Sequence, residues 1–421
     1  MSSVMERARA RDAADPLGRL RERFILPVGA DGQPLVYLCG HSLGAAPRAA
    51  RRFVDEELDT WERLGVNGHH AGARPWIDYA ELLAKPLAAL AGAHEHEVVA
   101  MNSLTVNLHL LMASFYRPRG ARRRIVIEGG AFPSDRHAVL GQLQWHGLDP
   151  AEALVEIAPP AGTDLLDVAQ LEHFLATRGE EVALVLWPGV QYLTGQAFDL
   201  ARIAQAAAAC GAACGFDLAH AIGNVPLALH DSGADFAAWC SYKYLNGGPG
   251  ALAGAFVHER HAHGSLPRLA GWWGHEGETR FRMAPEFHPA FGAAGWQVSN
   301  PPIFSTAPLL ASLALFTEAG MTALRARSLA LTQLLLDELD ARHGARLQCV
   351  TPRAAAGHGC QLSLRVRAGR EAGRALFAAL AARGVVLDWR EPDILRLAPV
   401  PLYNRYADVA YLLQCLESLS A

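Results

Sequence analysis

The sequence predicts an α/β protein with a mostly parallel central sheet, followed by a smaller α+β domain. Short apolar runs at 124–128, 182–187 and 234–240 alternate with segments that have the apolar spacing of helices. Buried strands that alternate with helices in this way are typical of right-handed βαβ units, which build parallel sheets. The region after residue 308 instead combines a long helical segment with several short strands, and this pattern indicates the second domain.

Each element is assigned from its apolar spacing and from the capping or turn residues at its ends. We expect helices at 1–24, 47–64, 77–92, 104–115, 135–146, 199–210, 308–343, 370–383 and 407–419. We expect strands at 35–38, 124–128, 182–187, 210–216, 234–240, 251–257, 347–350, 361–366, 385–388 and 394–397. Residues 271–302 are aromatic and rich in Gly and Pro without clean periodicity, which is typical of a functional loop. We expect 46–307 to form the large domain, and 1–45 to pack with the small domain at 308–421.

The bulk composition excludes several classes of protein. The chain has 421 residues, half of them hydrophobic, and a net charge of -4, so nothing indicates a nucleic-acid partner. Seven scattered cysteines, several within apolar runs, fit reduced thiols better than a disulfide framework. The first residues lack the apolar stretch of a signal peptide, and no apolar run approaches about 18 residues. We therefore expect a cytoplasmic protein without a membrane partner.

Two apolar runs end in residues that carry chemistry. Asp217 and then His220 follow one run, and Tyr242 and Lys243 follow the next. Polar residues just past the carboxyl ends of parallel strands are where open α/β sheets bind ligands. An amine that can form a Schiff base and a carboxylate that can pair with a pyridinium nitrogen are what pyridoxal phosphate (PLP) requires. A single lysine after a strand is more often a surface residue. An aspartate and a lysine that follow consecutive strands, with Gly-Gly-Pro-Gly shortly after the lysine, instead favour a PLP site.

The segment before the helix expected at 104–115 indicates an anion site. Asn102 and Ser103 are good amino-terminal caps. The free backbone amides at a helix start, beside a hydroxyl, suit a phosphate, although an ordinary capped helix is the alternative. Phe132, just after the strand at 124–128, is placed either to stack on a flat cofactor ring or to fill the core.

Ten short strings, in order along the chain, resemble the kynureninase family. They are GHSLG, GHHAGARPW, NSLTVNLHLL, FPSD, GVQYLTGQ, GFDLAHAIGN, WCSYKYLNGGPG, GWWGHE, SNPP and LRLAPVPLYN. One such string would be weak support, whereas ten in order are specific. The resemblance extends from about Tyr37 to the carboxyl terminus. It implies the aspartate-aminotransferase-like fold known as fold type I, PLP as cofactor, and a homodimer with its active site at the subunit interface.

The resemblance also implies a role for each matching residue. Lys243 would be the Schiff-base lysine, Asp217 would face the pyridine nitrogen, and Tyr242 would help hold the phosphate and relay protons. The other implied cofactor-binding residues are Leu104, Thr105, Phe132, Pro133, Ser134, Asp135, His220, Trp272 and Asn300, the last two from the neighbouring subunit. The implied substrate-binding residues are Ser42, His69, Ser299, Asn300 and Arg396, with Arg396 as a bidentate clamp for the α-carboxylate. No residue is expected to bind a metal ion.

The implied reaction is hydrolytic cleavage of the Cβ–Cγ bond of L-kynurenine or L-3-hydroxykynurenine. It yields anthranilate or 3-hydroxyanthranilate and L-alanine, in tryptophan catabolism or NAD biosynthesis, and Lys243 would remove the α-proton. His69, Ser299 and Asn300 match family members that favour the hydroxylated substrate, so we expect that preference. Pro188 stands where the family often has Ser or Thr, and the missing hydroxyl should weaken PLP binding by about 1 kcal/mol.

Three other functions are compatible with parts of the pattern. A cysteine desulfurase would share the fold and the Asp, His and Lys set, but it needs a cysteine in a mobile loop, for which only Cys360 is a candidate. A metal hydrolase is suggested by 18 histidines, but the clusters 69–70, 94–96 and 261–263 lack the spacing of helical metal ligands. A non-catalytic PLP-binding protein would have no use for Arg396 beside a reactive amine.

Overall fold

The computed structural model of the chain describes residues 3–263 and 265–419. The helices are α1 Val4–Ala14, α2 Ala50–Leu64, α3 Glu81–Ala91, α4 Leu104–Phe115, α5 Pro133–Trp145, α6 Pro150–Ala153, α7 Val168–Arg178, α8 Leu200–Ala209, α9 Leu229–Ser232, α10 Ile303–Ala319, α11 Met321–Arg342, α12 Arg370–Ala381 and α13 Tyr406–Ser418. The strands are β1 Phe24–Ile25, β2 Val36–Tyr37, β3 Ala46–Pro47, β4 Val98–Ala100, β5 Arg124–Glu128, β6 Leu154–Ile157, β7 Val182–Pro188, β8 Ala213–Asp217, β9 Phe236–Trp239, β10 Gly254–Val257, β11 Leu347–Cys349, β12 Leu362–Val366, β13 Val385–Val386, β14 Asp388–Arg390 and β15 Ile394–Leu397. Residues 1–2 of the expected helix at 1–24 and residues 420–421 of the expected small domain lie outside the described residues.

Seven strands form the central sheet in the order β4-β10-β9-β8-β7-β5-β6. Within this described sheet β10 alone runs antiparallel to its neighbours, and the other strands all run in one direction. The predicted α/β class with a mostly parallel sheet is therefore confirmed. The sequence patterns did not indicate the edge strands β4 and β6, which have three and four residues.

The central strands β8 and β9 are buried on both faces, as expected for a parallel sheet that helices cover on each side. Successive side chains of a strand point to opposite faces, so Leu184 and Leu186 belong to one core, and Val185 and Trp187 to the other. α4 and α5 cover the first face, whereas α3, α7, α8 and α10 cover the second. This three-layer packing holds the carboxyl ends of the strands in fixed positions.

Two of the expected helices are interrupted in the structure. The segment expected as one helix at 1–24 breaks after Ala14, because Asp15, which precedes a proline, has extended backbone angles. The helix expected at 308–343 is a pair, since Gly320 adopts a φ of 74° between α10 and α11, which meet at a bend of 84°. No single described helix is long and apolar enough to cross a membrane; this bent pair meets the length and composition criterion only when both helices are taken together.

The amino-terminal segment packs against the carboxyl-terminal part of the chain. β11, β12, β15 and β14 form an antiparallel sheet, and Val4 and Ala8 of α1 lie in the same apolar core as the helices that cover it. The Asp12 carboxylate accepts hydrogen bonds from the backbone amides of Tyr406 at 2.8 Å and Ala407 at 2.9 Å. β2 pairs in parallel with β13. The domain limits expected at 45 and 307 stay predictions.

Candidate active site

The carboxyl ends of the parallel strands meet at one cavity. β5 ends at Glu128, β7 at Pro188 and β8 at Asp217, and Lys243 follows β9. The cavity has a volume of about 170 Å³ and is lined by Ser103, Leu104, Thr105, Glu128, Phe132, Ser134, Asp135, Pro188, Val190, Tyr192, Asp217, Ala219, His220, Tyr242 and Lys243. The structure therefore brings together the lysine and the aspartate on which the PLP prediction depends.

The Lys243 amine lies beside a neutral imidazole. Its Nζ is 3.2 Å from His220 Nε2 and 5.8 Å from the ring centre of Phe132. Burial, followed by the positive charge of Lys243, holds the pKa of His220 well below its ordinary value. The neutral ring can accept a hydrogen bond from the amine, while its Nδ1 is buried without a hydrogen-bond partner among the described residues. A polar atom buried in this way indicates a place for a polar ligand.

Three carboxyl groups, those of Glu128, Asp135 and Asp217, also line the cavity. Asp217 accepts a hydrogen bond from the backbone N–H of Ala219 at 2.6 Å. Burial, and then the charge of Asp217, raise the pKa of both Glu128 and Asp135 well above the ordinary range. Within the described part of the chain, Glu128 Oε2 and Asp135 Oδ1 are buried without a hydrogen-bond partner. Such a group of carboxyls favours a bound cation, for example a protonated ring nitrogen.

Two helix amino termini define the anion-binding end of the cavity. α4 begins at Leu104 and α5 at Pro133, and the hydroxyls of Thr105 and Ser134 lie 2.8 Å apart between them. Ser103 occupies the predicted cap position of α4, but its side chain makes no capping hydrogen bond. The backbone amides at both helix starts and these hydroxyls suit a phosphate group.

Two aromatic side chains form the mouth of the cavity. Phe132 is 38% exposed, so it does not fill the core, which was the alternative that the sequence left open. Its ring packs edge to face against Tyr192 at 5.1 Å. Phe132 and Tyr192 also line a second cavity of about 830 Å³, where Ser42 and Pro133 lie among the lining residues. The two predicted residues Ser42 and Pro133 therefore lie beside the first cavity rather than in its wall.

Arg396 is buried in β15, and only 1% of its side chain is exposed. Its Nη1 donates to the carbonyl of Tyr192 at 2.6 Å, its Nη2 donates to Asp388, and its Nε has no described partner. Burial alone would raise the pKa of Asp388, but the neighbouring His41 imidazole at 3.6 Å and the charge of Arg396 hold this pKa well below its ordinary range. The guanidinium lines neither cavity but is held against Tyr192, which lines both, and its role as a carboxylate clamp stays a prediction.

Four other predicted residues lie away from the Lys243 cavity in the single chain. Ser299 and Asn300 are exposed, and Trp272 is 49% exposed, with its Nε1–H donating to the carbonyl of Arg280 at 3.1 Å. The ring of His69 packs edge to face against Trp76, with the ring centres 5.4 Å apart. None of the four lines either cavity.

Some residues of the site were not identified from the sequence. Glu128 ends a buried strand, and the rule that singled out Asp217 at the end of its own strand would have found it. Tyr192 lies in one of the strings that resemble the kynureninase family, but nothing in its spacing indicates that it meets Phe132. Asp388 contacts Arg396 because the two residues lie opposite each other on antiparallel strands, and only the register shows this.

The cavity fits PLP at three points. Its wall contains an amine, an anion site made by two helix starts and a group of buried carboxyls. These groups correspond to the aldehyde, the phosphate and the ring nitrogen of the cofactor. The fold and this set of side chains define a PLP-dependent enzyme of fold type I.

Solved structures share this fold. The cysteine desulfurase of Thermococcus onnurineus NA1 superimposes with a TM-score of 0.74 at 18% identity, over 91% of this chain and 94% of its own. The cysteine desulfurase CsdA of Escherichia coli gives a TM-score of 0.75 at 19% identity, over 96% and 98%. At this identity the similarity concerns the fold alone. In addition, Cys360 is fully buried here, and burial raises the pKa of its thiol to about 12, so it does not resemble a mobile acceptor.

Curated relatives identify the family. The chain is 56% identical to the kynureninase of Xanthomonas euvesicatoria pv. vesicatoria (strain 85-10) over 100% of both proteins. It is 57% identical to the kynureninase of Xanthomonas campestris pv. campestris (strain B100), over 98% of this chain and 97% of the relative. The sequence model of the Kynureninase C-terminal domain matches residues 324–416. The chain belongs to the kynureninase family.

Proposed function

We propose that the protein is a kynureninase, a hydrolase that acts on carbon–carbon bonds in ketonic substances. It would cleave the Cβ–Cγ bond of L-kynurenine or L-3-hydroxykynurenine to give the corresponding anthranilate and L-alanine. The observation that carries this proposal is the shared cavity of Lys243 and Asp217 in a chain that aligns with kynureninases over its full length. Tryptophan catabolism or NAD biosynthesis would use such a reaction.

The roles of the residues follow from their surroundings. PLP, when bound, supplies an aldehyde for the substrate amine and a ring that stabilises negative charge at the substrate α-carbon. Lys243 would take the proton from that carbon, and this role is supported by the neutral imidazole of His220, which lies 3.2 Å from the amine. Asp217 supplies the negative charge that keeps a ring nitrogen protonated.

Tyr242 is the proposed proton donor. Burial, and then the neighbouring Cys240, raise the pKa of Tyr242 above its ordinary value, so its phenol stays protonated at neutral pH. Lys243 Nζ lies 5.9 Å from the centre of the Tyr242 ring, which places the phenol at the same cavity. A phenol at that position can deliver a proton to the fragment that leaves when the carbon–carbon bond breaks.

The exposed aromatic residues support a homodimer. Trp272 packs against Phe281 with their ring centres 5.4 Å apart, and Trp61 packs against Phe304 at 6.0 Å, although all four side chains are exposed. Neighbouring exposed apolar side chains of this size are typical of a protein interface. We propose that Trp272 and Asn300 reach the cavity of a second copy of the chain, which would explain why they lie apart from Lys243 within one copy.

A hybrid dimer tests this arrangement. Lys243→Ala and Asn300→Ala should each have low activity alone, because each defect affects both sites of a symmetric dimer. When the two variants are mixed and reassembled, about a quarter of the wild-type activity should return, since half of the dimers are hybrids with one intact site. Activity that stays at the level of the separate variants would contradict a shared site.

Substrate preference and location stay predictions. His69, Ser299 and Asn300 support a preference for 3-hydroxykynurenine, because a pocket built to bond a hydroxyl disfavours the analogue without it. A kcat/KM that favours plain kynurenine in the purified enzyme would refute it. The cytoplasmic location has no further support from the structure and is best tested by cell fractionation.

The central test exploits the lysine content of the chain, which has only Lys85 and Lys243. The purified enzyme should be yellow, and borohydride should remove the visible absorbance and leave the reduced cofactor attached to the peptide that contains Lys243. Lys243→Ala should abolish hydrolysis of both kynurenines, whereas Lys85→Arg, at an exposed position on α3, should leave it unchanged. Label on Lys85, or activity in Lys243→Ala, would refute the proposed function.

A further inference from the structure

A cluster of three histidines and one buried carboxylate lies at the edge of the central sheet opposite to the Lys243 cavity. Glu97 immediately precedes β4, His230 lies in α9 before β9, and His258 follows β10, with His94 close to Glu97 in the chain. Because β10 runs antiparallel to both neighbours, its carboxyl end meets the amino ends of β4 and β9. Lys243 follows the carboxyl end of β9, so the sheet separates this cluster from the cavity.

Glu97 is the centre of the cluster, and none of its side chain is exposed. Its Oε1 accepts hydrogen bonds from His230 Nδ1 at 3.0 Å and from the backbone N–H of Glu259 at 2.8 Å. Its Oε2 accepts from the backbone N–H of His94 at 2.9 Å. His258 Nδ1 lies 3.6 Å from the same Oε1. A carboxylate buried this completely requires hydrogen-bond donors or positive charge around it.

The imidazoles converge on this carboxylate. The ring centres of His94 and His230 are 4.2 Å apart, and those of His230 and His258 are 4.9 Å apart. One ligand atom from each of His94, Glu97 and His230 lies within 4.8 Å of the other two. Zinc ligands lie about 2.0–2.1 Å from the ion, which places tetrahedral ligand atoms about 3.4 Å apart. His94 is exposed and His230 partly exposed. Rotation of these rings can therefore shorten the distances between ligand atoms from as much as 4.8 Å to about 3.4 Å, and a hydrated ion can enter.

We propose that His94, Glu97 and His230 bind a divalent transition-metal ion of the zinc type, with water as the fourth ligand. Two imidazoles and one carboxylate suit zinc, cobalt or nickel better than magnesium or calcium, which prefer oxygen ligands. His230 would bind through Nδ1 as a neutral imidazole with its proton on Nε2, so the Nδ1 proton is released to solvent and Nε2, if it is unprotonated, takes one up. His258 stays beside the carboxylate and positions it. The ion would join the segment before β4 to α9, two segments that are distant in the sequence.

A second cluster, formed by Cys39, His41 and Asp388, has ligand atoms equally close together. Its carboxylate is already bonded to two guanidinium groups, those of Arg390 and Arg396. These positive charges oppose a metal cation there. It also lies beside the cavity mouth and belongs to the site already described. The cluster around Glu97 is therefore the one that we assign to a metal ion.

Zinc binding by the holoenzyme tests the proposal. The protein is treated with a chelator and equilibrated with zinc chloride in the micromolar range, and bound zinc is measured by elemental analysis after dialysis. We expect one zinc ion per chain in the wild type and at least about tenfold weaker binding in His94→Ala and in His230→Asn. His94 is exposed, so His94→Ala should fold normally. His173→Ala, at an exposed histidine on α7 outside the cluster, is the matched control and should bind zinc like the wild type.

Two results would overturn the proposal. If the wild type retains no zinc, the cluster is a histidine–carboxylate network only. If His94→Ala and His230→Asn bind zinc as tightly as the wild type, the ion lies elsewhere, and its loss in Cys39→Ser would place it at the second cluster. Kynurenine hydrolysis is measured on the same samples and should be unchanged in His94→Ala, because the sheet separates the cluster from Lys243. The test of the metal site is therefore independent of the test of the proposed function.

Discussion

Replacing Arg396 by lysine tests the proposed clamp for the substrate α-carboxylate. In the structure Arg396 donates to the carbonyl of Tyr192 at 2.6 Å and to Asp388, while its Nε has no partner among the described residues. A lysine keeps the positive charge that pairs with the partly buried Asp388, but it offers one nitrogen in place of a planar fork. The variant should therefore fold, yet lose at least one hydrogen bond to the substrate carboxylate.

The size of the effect follows from the bond that is lost. A hydrogen bond to a charged group contributes about 1.5–3 kcal/mol. At about 1.36 kcal/mol for each factor of ten, kcat/KM should fall by roughly 10- to 150-fold. The carboxylate does not change during the reaction, so most of the loss should appear in KM rather than in kcat. The bond to the Tyr192 carbonyl is also lost, which should lower the free energy of unfolding by about 1–3 kcal/mol.

Steady-state kinetics with kynurenine and with an analogue that lacks the α-carboxylate separates binding from folding. The difference between wild type and Arg396→Lys should largely disappear with the analogue. Arg390→Lys is the matched control, because Arg390 donates to the same Asp388 at 3.1 Å but is 37% exposed, and it should change kcat/KM much less. A kcat/KM for kynurenine within about threefold of the wild type, or an equal loss in Arg390→Lys, would refute the clamp.

Three further substitutions address the cavity itself. Glu128→Gln should change kcat by less than about threefold at pH 7, because burial and the charge of Asp217 raise the pKa of Glu128 and the amide mimics its neutral acid; a large loss would show that Glu128 acts as an anion. Because the pKa of Glu128 is raised in the folded protein, its contribution to stability is complete below about pH 4.3 and decreases as the pH rises. The free energy of unfolding of the apoenzyme variant, measured in urea, should therefore depend less on pH than that of the wild-type apoenzyme. Tyr242→Phe should lower kcat by about 10²–10⁴-fold in single-turnover measurements, and a normal rate would exclude the phenol as the donor. Pro188→Ser should tighten PLP binding by about fivefold in equilibrium dialysis, equivalent to one hydrogen bond of about 1 kcal/mol, and unchanged affinity would show that no hydroxyl contact is missing.

Much of the cavity could be predicted because strand ends are visible in a sequence. A buried parallel strand is a short apolar run, and the first polar residue after it necessarily lies at the carboxyl edge of the sheet. This reasoning indicated Asp217, His220, Tyr242 and Lys243, and the structure places all four at one cavity. It could not separate a stacking role from a core role for Phe132, because that choice depends on whether Tyr192 or the sheet packs against the ring.

The long-range pairs could not be predicted in the same way. The histidines at 94–96 and 261–263 were judged by their spacing along the chain, but His94 and Glu97 meet His230, which lies far along the chain in α9. Their meeting depends on the strand order, which places the amino ends of β4 and β9 on either side of β10, and no local pattern encodes that order. Likewise, the bend at Gly320 divides a segment whose apolar spacing is continuous, and Trp272 and Asn300 lie apart from the site of their own chain.

The amino-acid sequence by itself determined the α/β class, the kynureninase family and the residues at the strand ends, because each of these depends on local order along the chain. Only the tertiary structure decided which buried charges face one another. The antiparallel register brings Asp388 to Arg396, and the strand order brings Glu97 to His230. Such pairs form where distant segments pack together, because a buried charged group requires an opposite charge or hydrogen-bond partners beside it.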